Sequence, residues 1–347
     1  MSATIRVLGV TAECDSAYDL FLAAVGYEAR ARFVVESLHP RAFARLGLAF
    51  THDKVLDFDL NRRALTEHGY EITEQDDENV APWLLDRVLS LPPNRGTVRL
   101  GVDISSLTRK RIAIAFDVLR QSAALLGRSV STDWYYSVAR FSAPPRRFVP
   151  NAIAGPVLPA FAGWSIEPER PLVAVVGLGY EEDRALGAVE HVQASETWAL
   201  RPLSHDPRYD AAVARANSRL LEAIRPRRVV AYPVERPIDC VGVLESLVYG
   251  IIRNENAVIL PFGPKILMLC SLLVAHIHPA VAVWRVSAGG AEEPVNRRPS
   301  GRISCLRVEF SPTKNGLELD GPTGPQPEVS GPNAQGGSNA EIGIAEE

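Results

Sequence analysis

No CxxC pair occurs among the four cysteines, Cys14, Cys240, Cys270 and Cys305, which are scattered along 347 residues. That spacing argues against a disulfide framework or a zinc site, and Cys270, inside an apolar run, reads as a buried reduced thiol. An excess of either charge is also missing, with a formal net charge of −4. Coating nucleic acid needs Lys and Arg in excess on one face, so extended nucleic acid is not an expected partner. A small anion remains possible, because it needs only two or three local cations. The longest apolar run, Ile266 to Val283, is broken by His276, His278 and Pro279. It reads as a buried helix followed by a buried strand, not as a membrane span. Met1 to Tyr18 carries Arg6, Glu13 and Asp15 and lacks the apolar core of a signal peptide. The expectation is a cytoplasmic protein with no membrane partner. Walker A, GxSxG and HExxH sequences are absent, and no Ser/His/Asp set can be assembled. No cofactor and no metal is expected.

What is present is an ordinary globular composition, 46% hydrophobic and 22% charged, on a chain long enough for two domains. The same order of elements appears twice. A strand-length apolar run, Asp19 to Val25, leads into GYEARAR and a helical pattern. Leu172 to Val176 leads into GLGYEEDR and another. A second strand follows in each half (Ala44 to Phe50; Thr197 to Leu203), then a polar loop, FDLNRR or SHDPRYD, and a helix (Val80 to Leu91; Ala211 to Ile224). Thr97 to Ile104 runs into SSLTRKR and the apolar helix Ile112 to Leu126. Ala257 to Phe262 runs into GPK and the helix Ile266 to Ala275. Val229 to Tyr232 adds a short strand before a helix over Gly242 to Ile252, and each half closes on a Trp-bearing strand. Gly26 and Gly179 lie 153 residues apart, Arg109 and Lys265 lie 156 apart, and Trp134 and Trp284 lie 150 apart. A period kept at three landmarks indicates internal duplication.

Fully apolar strands alternating with helices predict parallel sheets covered on both faces. The expected fold is α/β: two tandem Rossmann-like units forming a pseudo-dimer. Their expected bounds are 1–141 and 172–310, with a Pro-rich connector over 142–171 and a disordered tail over 311–347. Ligands of such sheets bind beyond the carboxyl ends of the strands, which points to two kinds of loop.

The first is Gly26-Tyr27-Glu28-Ala29-Arg30 and its repeat, Gly179-Tyr180-Glu181 with Arg184. Glycine at a strand end lets a ligand approach the backbone, and free N–H groups of the next helix suit an anion. A tyrosine can stack on a base, and a carboxylate can accept from an amine. Equally, Glu28 can cap the helix and pair with Arg30 on the surface. The second loop is Asp103 to Arg111, with hydroxyls Ser105, Ser106 and Thr108 followed by Arg109, Lys110 and Arg111 before an apolar helix. Cations are unfavourable in a first helical turn, and an anion would account for them. A Ser/Thr cap with solvated cations is the alternative. Gly263-Pro264-Lys265 repeats a cation at the same place. His276-x-His278 could suggest a metal, but no third ligand is placed by sequence, and the pair reads more simply as helix-end histidines. Asp57, Asp59 and Asn61 could be catalytic or metal-binding groups, but read more simply as a solvated turn.

The VDISSLTRKR loop and its partner LPFGPK resemble the ligand loops of CARF (CRISPR-associated Rossmann fold) domains and of their fused relatives, the SAVED domains. Those loops commonly read as a Gly-Gly-Thr-Lys type, where this chain has SSLTR and GPK. The resemblance implies two facing units that bind a cyclic nucleotide across a pseudo-twofold. Ser105, Ser106, Thr108, Arg109 and Lys265 would then contact phosphate or ribose, and the Gly26 and Gly179 loops would face the same pocket. It implies a sensor for a nucleotide second messenger in bacterial antiphage defence, whose effector would be a separate protein. An enzyme cleaving such a nucleotide, with Asp103 or Glu28 as base, and a ligand-free interaction scaffold are the alternatives.

Overall fold

A computed structural model describes residues 3–10, 17–92, 96–144, 151–163, 167–289 and 293–312. Cys14 and residues 313–347 of the expected tail lie outside the described residues, whereas Ser311 and Pro312, its expected start, end a strand. The first half runs β1 (Ala3–Gly9), β2 (Tyr18–Val25), α1 (Phe33–Leu38), β3 (Ala42–Ala49) and α2 (Phe58–Glu67). It continues through β4 (Glu71–Glu74), α3 (Asp77–Leu89), β5 (Val98–Asp103), α4 (Arg109–Leu126) and β6 (Val130–Ala139). After β6 the first repeat ends on β7 (Ile153–Pro156), and the second half runs β8 (Leu172–Gly177), α5 (Arg184–Val192), β9 (Glu196–Leu203), α6 (Pro207–Ala216) and α7 (Ser218–Ala223). After these come β10 (Val229–Pro233), α8 (Pro237–Ile251), β11 (Asn256–Leu260), α9 (Lys265–Ile277), β12 (Ala282–Ser287) and β13 (Pro299–Pro312).

Two mostly parallel sheets result, with strand orders β1-β13-β6-β5-β2-β3-β4 and β10-β9-β8-β11-β12-β7. Within each half the five parallel strands follow the order third, second, first, fourth, fifth, which is the Rossmann order. The duplication is therefore one of topology. Central strands such as β2 and β8 are buried almost throughout, which explains their continuous apolar runs. Helices α4 and α9 are apolar on nearly every face because they pack against each other between the sheets. Ile112, Phe116 and Leu119 of α4 share one apolar cluster with Ile266, Leu269 and Leu273 of α9. This shared core makes the two units a pseudo-dimer. Among the described residues no helix is long and apolar enough to cross a membrane.

Several boundaries differ from the sequence reading. FDLNRR is part of α2 and not a loop, because Phe58, Asn61 and Leu65 form a buried stripe at helical spacing. The helix expected over Ala211 to Ile224 is two, α6 and α7, with a break at Asn217. The connector contains β7, which pairs antiparallel with β12 of the second sheet. In return β13, the end of the expected second unit, pairs antiparallel with β6 of the first sheet. The halves thus exchange edge strands. Trp134 faces Leu306 and Trp284 faces Pro156, so each residue lies 150 positions from its counterpart in the other pair. Both sheets belong to one compact unit.

Candidate functional site

The carboxyl ends of both sheets open on one cavity of about 820 Å³, which takes lining residues from both halves. That volume suits a small molecule. The exposed acids Asp53, Glu182 and Glu293 lie in its lining, whereas Glu28 and Arg30 are buried in its wall.

Both Gly-Tyr-Glu loops are held by buried asparagines. Asn61 Nδ2 donates to the carbonyls of Gly26 (2.7 Å) and Glu28 (2.9 Å), and Asn217 Nδ2 donates to the carbonyl of Gly179 (2.7 Å). Each loop also packs tightly on its neighbour. A Cβ at Gly26 would lie 2.0 Å from Ser106 Oγ, and one at Gly263 would lie 2.4 Å from the Leu178 carbonyl. Gly263 has φ +75°, a conformation that costs little only for glycine.

The paired cations brace the two halves. Arg109, the first residue of α4, donates to the carbonyls of Pro261 (2.8 Å) and Gly263 (2.6 Å) in the other half. Lys265, the first residue of α9, donates to the carbonyl of Ser105 (2.8 Å) in return. The neighbouring cations have structural partners as well. Lys110 and Arg111 pair with Asp77 of α3, at 3.4 and 2.9 Å. Arg111 also donates to the carbonyls of Ala49 (3.3 Å) and Gln75 (2.5 Å) and lies 4.0 Å over the Phe50 ring. Three cations in a first helical turn therefore need no bound anion to account for them.

Glu28 is the centre of the site. It is ion-paired with Arg30, and its other oxygen lies 3.6 Å from Lys265 Nζ and 4.0 Å from Arg297 Nε. Burial alone would raise this carboxyl, but the charges of Arg30, Lys265 and Arg297 outweigh it and hold it down to about 2. Burial pushes the Lys265 ammonium down to about 7. Glu28 opposes that fall, while Arg30, Arg297 and Arg109 add to it. Arg30 also bonds the Ser137 carbonyl (3.1 Å) and the Tyr136 hydroxyl (3.3 Å).

Neither a family model nor a curated relative matches this chain. Among solved structures, the cytoplasmic domain of a prokaryotic cation chloride cotransporter aligns over 80% of this chain and 98% of its own. Its identity is 12% and its TM-score 0.23, a likeness too slight to carry an argument. The chemistry of the cavity has to be read from its own residues.

The structure brings eleven of the thirteen sequence candidates into the cavity lining and leaves Asp103 and Ser105 out of it. Ser105 is fully buried. It donates through N–H (2.9 Å) and hydroxyl to Asp103 Oδ1, and its Oγ accepts from Ser137 N–H (2.7 Å). Asp103 Oδ2 has no hydrogen-bond partner among the described residues. Burial pushes this carboxyl up to about 6, against the Ser105 bonds and the charges of Arg30 and Lys265. Thr108 caps α4 by accepting from Arg111 N–H at 3.2 Å. Tyr180 is largely buried, stacked on Tyr209 with ring centroids 5.8 Å apart, and has the Arg297 guanidinium 5.4 Å from its ring centroid. Arg184 is tied to Asn151, at 3.3 Å.

The candidate turn and metal residues are structural too. Asp57 accepts from Asn296 Nδ2 (2.8 Å) and pairs with Arg32 (3.4 Å), while Asp59 is exposed on α2. His276 packs edge-on against Phe116 and Phe310, and His278 pairs with Glu245. Among the described residues no group of three His, Cys, Asp or Glu could hold a metal.

Sequence reasoning missed Arg297. It lies on the segment between β12 and β13, which crosses back to the first sheet over the Gly-Tyr-Glu loop. Asn296 Oδ1 accepts from Ala29 N–H at 2.7 Å, and the Arg297 carbonyl accepts from Arg30 N–H at 3.1 Å. The Arg297 side chain then reaches Glu28 of one half and the Tyr180 hydroxyl of the other. Its only signal in the sequence is Arg297-Arg298 before a Pro, which says nothing of the crossing.

Proposed function

We propose that the cavity between the halves binds a nucleotide, and that the chain is a cytoplasmic sensor for a nucleotide second messenger acting through a separate effector protein. The observation that carries this reading is the group of cations Arg30, Lys265 and Arg297 around one buried carboxylate, in the wall of a cavity at the strand ends. A buried excess of positive charge is costly without an anion, and a phosphate among guanidinium and ammonium groups makes strong charge-assisted bonds. Apolar lining from Val138, Leu178, Phe262 and Val286 supplies a surface for a base. The resemblance of the paired loops to CARF and SAVED domains supports the same class of ligand, in an antiphage role. The two groups suggested by sequence as catalytic bases are poorly suited to that task. Glu28 is held ionised at a pKa too low for a base, and Asp103 lies beneath the cavity surface.

A thermal-shift screen of the full chain against linear and cyclic nucleotides tests the proposal. A ligand present at about a hundred times its Kd stabilises the native state by about 2.7 kcal/mol, a shift of several degrees. A flat response across nucleotides at millimolar concentration would exclude the proposal.

A further inference from the structure

The framework of the cavity repeats in the two halves, but its chemistry does not. The asparagine clamps, the tight loop contacts at Gly26 and Gly179, and the reciprocal braces of Arg109 and Lys265 each occur twice. The side chains facing the ligand differ between equivalent places. Tyr136, whose hydroxyl bonds Arg30, has Val286 as its counterpart in strand register. Ser106, which packs on Gly26, corresponds to Gly263, which packs on Gly179. Glu28 is buried among three cations, whereas Glu181 is half-buried and the arginine that follows it, Arg184, turns to Asn151.

The charges follow the same division. Arg30, Arg109, Lys265 and Arg297 face Glu28, Asp103 and Glu181, an excess of positive charge against the wall of the first half. Arg184 and Arg285 also line the cavity on the second-half side, where the acids of the lining, Glu181, Glu182 and Glu293, are half-buried or exposed and not buried like Glu28. That side also offers the apolar Leu178, Phe262 and Val286, beside the neutral polar groups of Ser204, Tyr209 and Ser287. A desolvated cation cluster attracts an anion more strongly than solvated cations do, so the wall of the first half holds the anionic group.

From this lopsided lining we infer that the ligand is itself one-sided: a linear nucleotide whose phosphate end sits against Arg30, Lys265 and Arg297 and whose base lies toward Phe262 and Val286. This rests on the nucleotide reading of the cavity and narrows it, because a two-fold symmetric cyclic dinucleotide would need both walls to carry the same chemistry. Glu28 repels the phosphate, and it sets the affinity as the one carboxylate in contact with all three cations.

Isothermal titration of the full chain in phosphate-free buffer tests this, with adenosine and guanosine, their 5′-monophosphates, the matching cyclic dinucleotides and inorganic phosphate as probes. One monophosphate should bind about tenfold or more tightly than its nucleoside and its cyclic dinucleotide. Arg297→Gln should weaken it about tenfold, Arg285→Gln less than about twofold, and Glu28→Gln should tighten it severalfold. The gain in Glu28→Gln cannot arise from misfolding. If a cyclic dinucleotide binds tightest, or if the Arg297 and Arg285 variants lose equally, one-sidedness falls and the nucleotide reading stands. If inorganic phosphate binds and Arg297→Gln abolishes that binding, but no nucleotide binds, the one-sided anion site stands and the nucleotide reading falls. Absence of binding by every probe overturns both.

Discussion

Lys265 makes a thermodynamic prediction that needs no ligand. Its ammonium is mostly buried and faces Glu28 and Asp103 on one side of the balance and Arg30, Arg109 and Arg297 on the other. Burial, reinforced by the three arginines, takes it from 10.5 to about 7. Between those two values the unfolded chain holds more protons than the folded one, so the stability of the protein rises with pH through that window. Below it both states are charged and the penalty is constant. Each pH unit recovers up to about 1.4 kcal/mol, so the interval from about pH 6.5 to 8.5 should recover about 2 kcal/mol. Lys265→Met keeps the aliphatic stem and removes the titration. Urea unfolding of both proteins at the two pH values, without phosphate in the buffer, isolates the group as a difference between them. The wild type should gain about 2 kcal/mol on the variant as pH rises. A difference that stays constant would refute the buried-cation account of the site.

Asn61→Ala leaves two carbonyls of the Gly-Tyr-Glu loop without their donor, so it should cost about 2–4 kcal/mol, with Asn217→Ala costing somewhat less; urea midpoints measure both. Gly263→Ala puts a side chain at φ +75° and into the Leu178 carbonyl, and should lower the melting temperature by more than about 5 °C by calorimetry. Arg109→Ala should destabilise the whole chain by about 2–4 kcal/mol in denaturant titrations, because it unpairs two carbonyls across the halves. A loss of ligand affinity at unchanged stability would assign Arg109 to the ligand and not to the brace.

The duplication was legible because a strand buried on both faces leaves a continuous apolar run, and the period survived at Gly26, Arg109 and Trp134. The loops at the strand ends were legible for the same reason, since the topology of a parallel sheet places them together. The partners of the cations were not. A basic residue at a helix start looks the same whether it awaits an anion or, like Arg109, donates to carbonyls about 150 residues away. Asn61 reads as part of a turn in the sequence because polar neighbours on α2 mask the spacing of Phe58, Asn61 and Leu65. Edge-strand pairing was equally hidden, because β7 and β13 are placed by the vacant edges of β12 and β6 and not by their own composition.

The exchange of β7 and β13 has a consequence for how the chain is made. As synthesis proceeds from the N-terminus, the first half emerges with β6 as an open edge, and its cover, β13, is about 160 residues from being translated. The strand already available, β7, belongs to a sheet not yet synthesised. The first Rossmann unit therefore cannot be completed on the ribosome before the second, and the nascent protein carries β6 as an unpaired, largely apolar edge until β13 has emerged. A ribosome stalled or truncated in the second half would release a species prone to edge-to-edge association, whereas separately made halves should recover the fold when mixed, each supplying the strand that the other lacks.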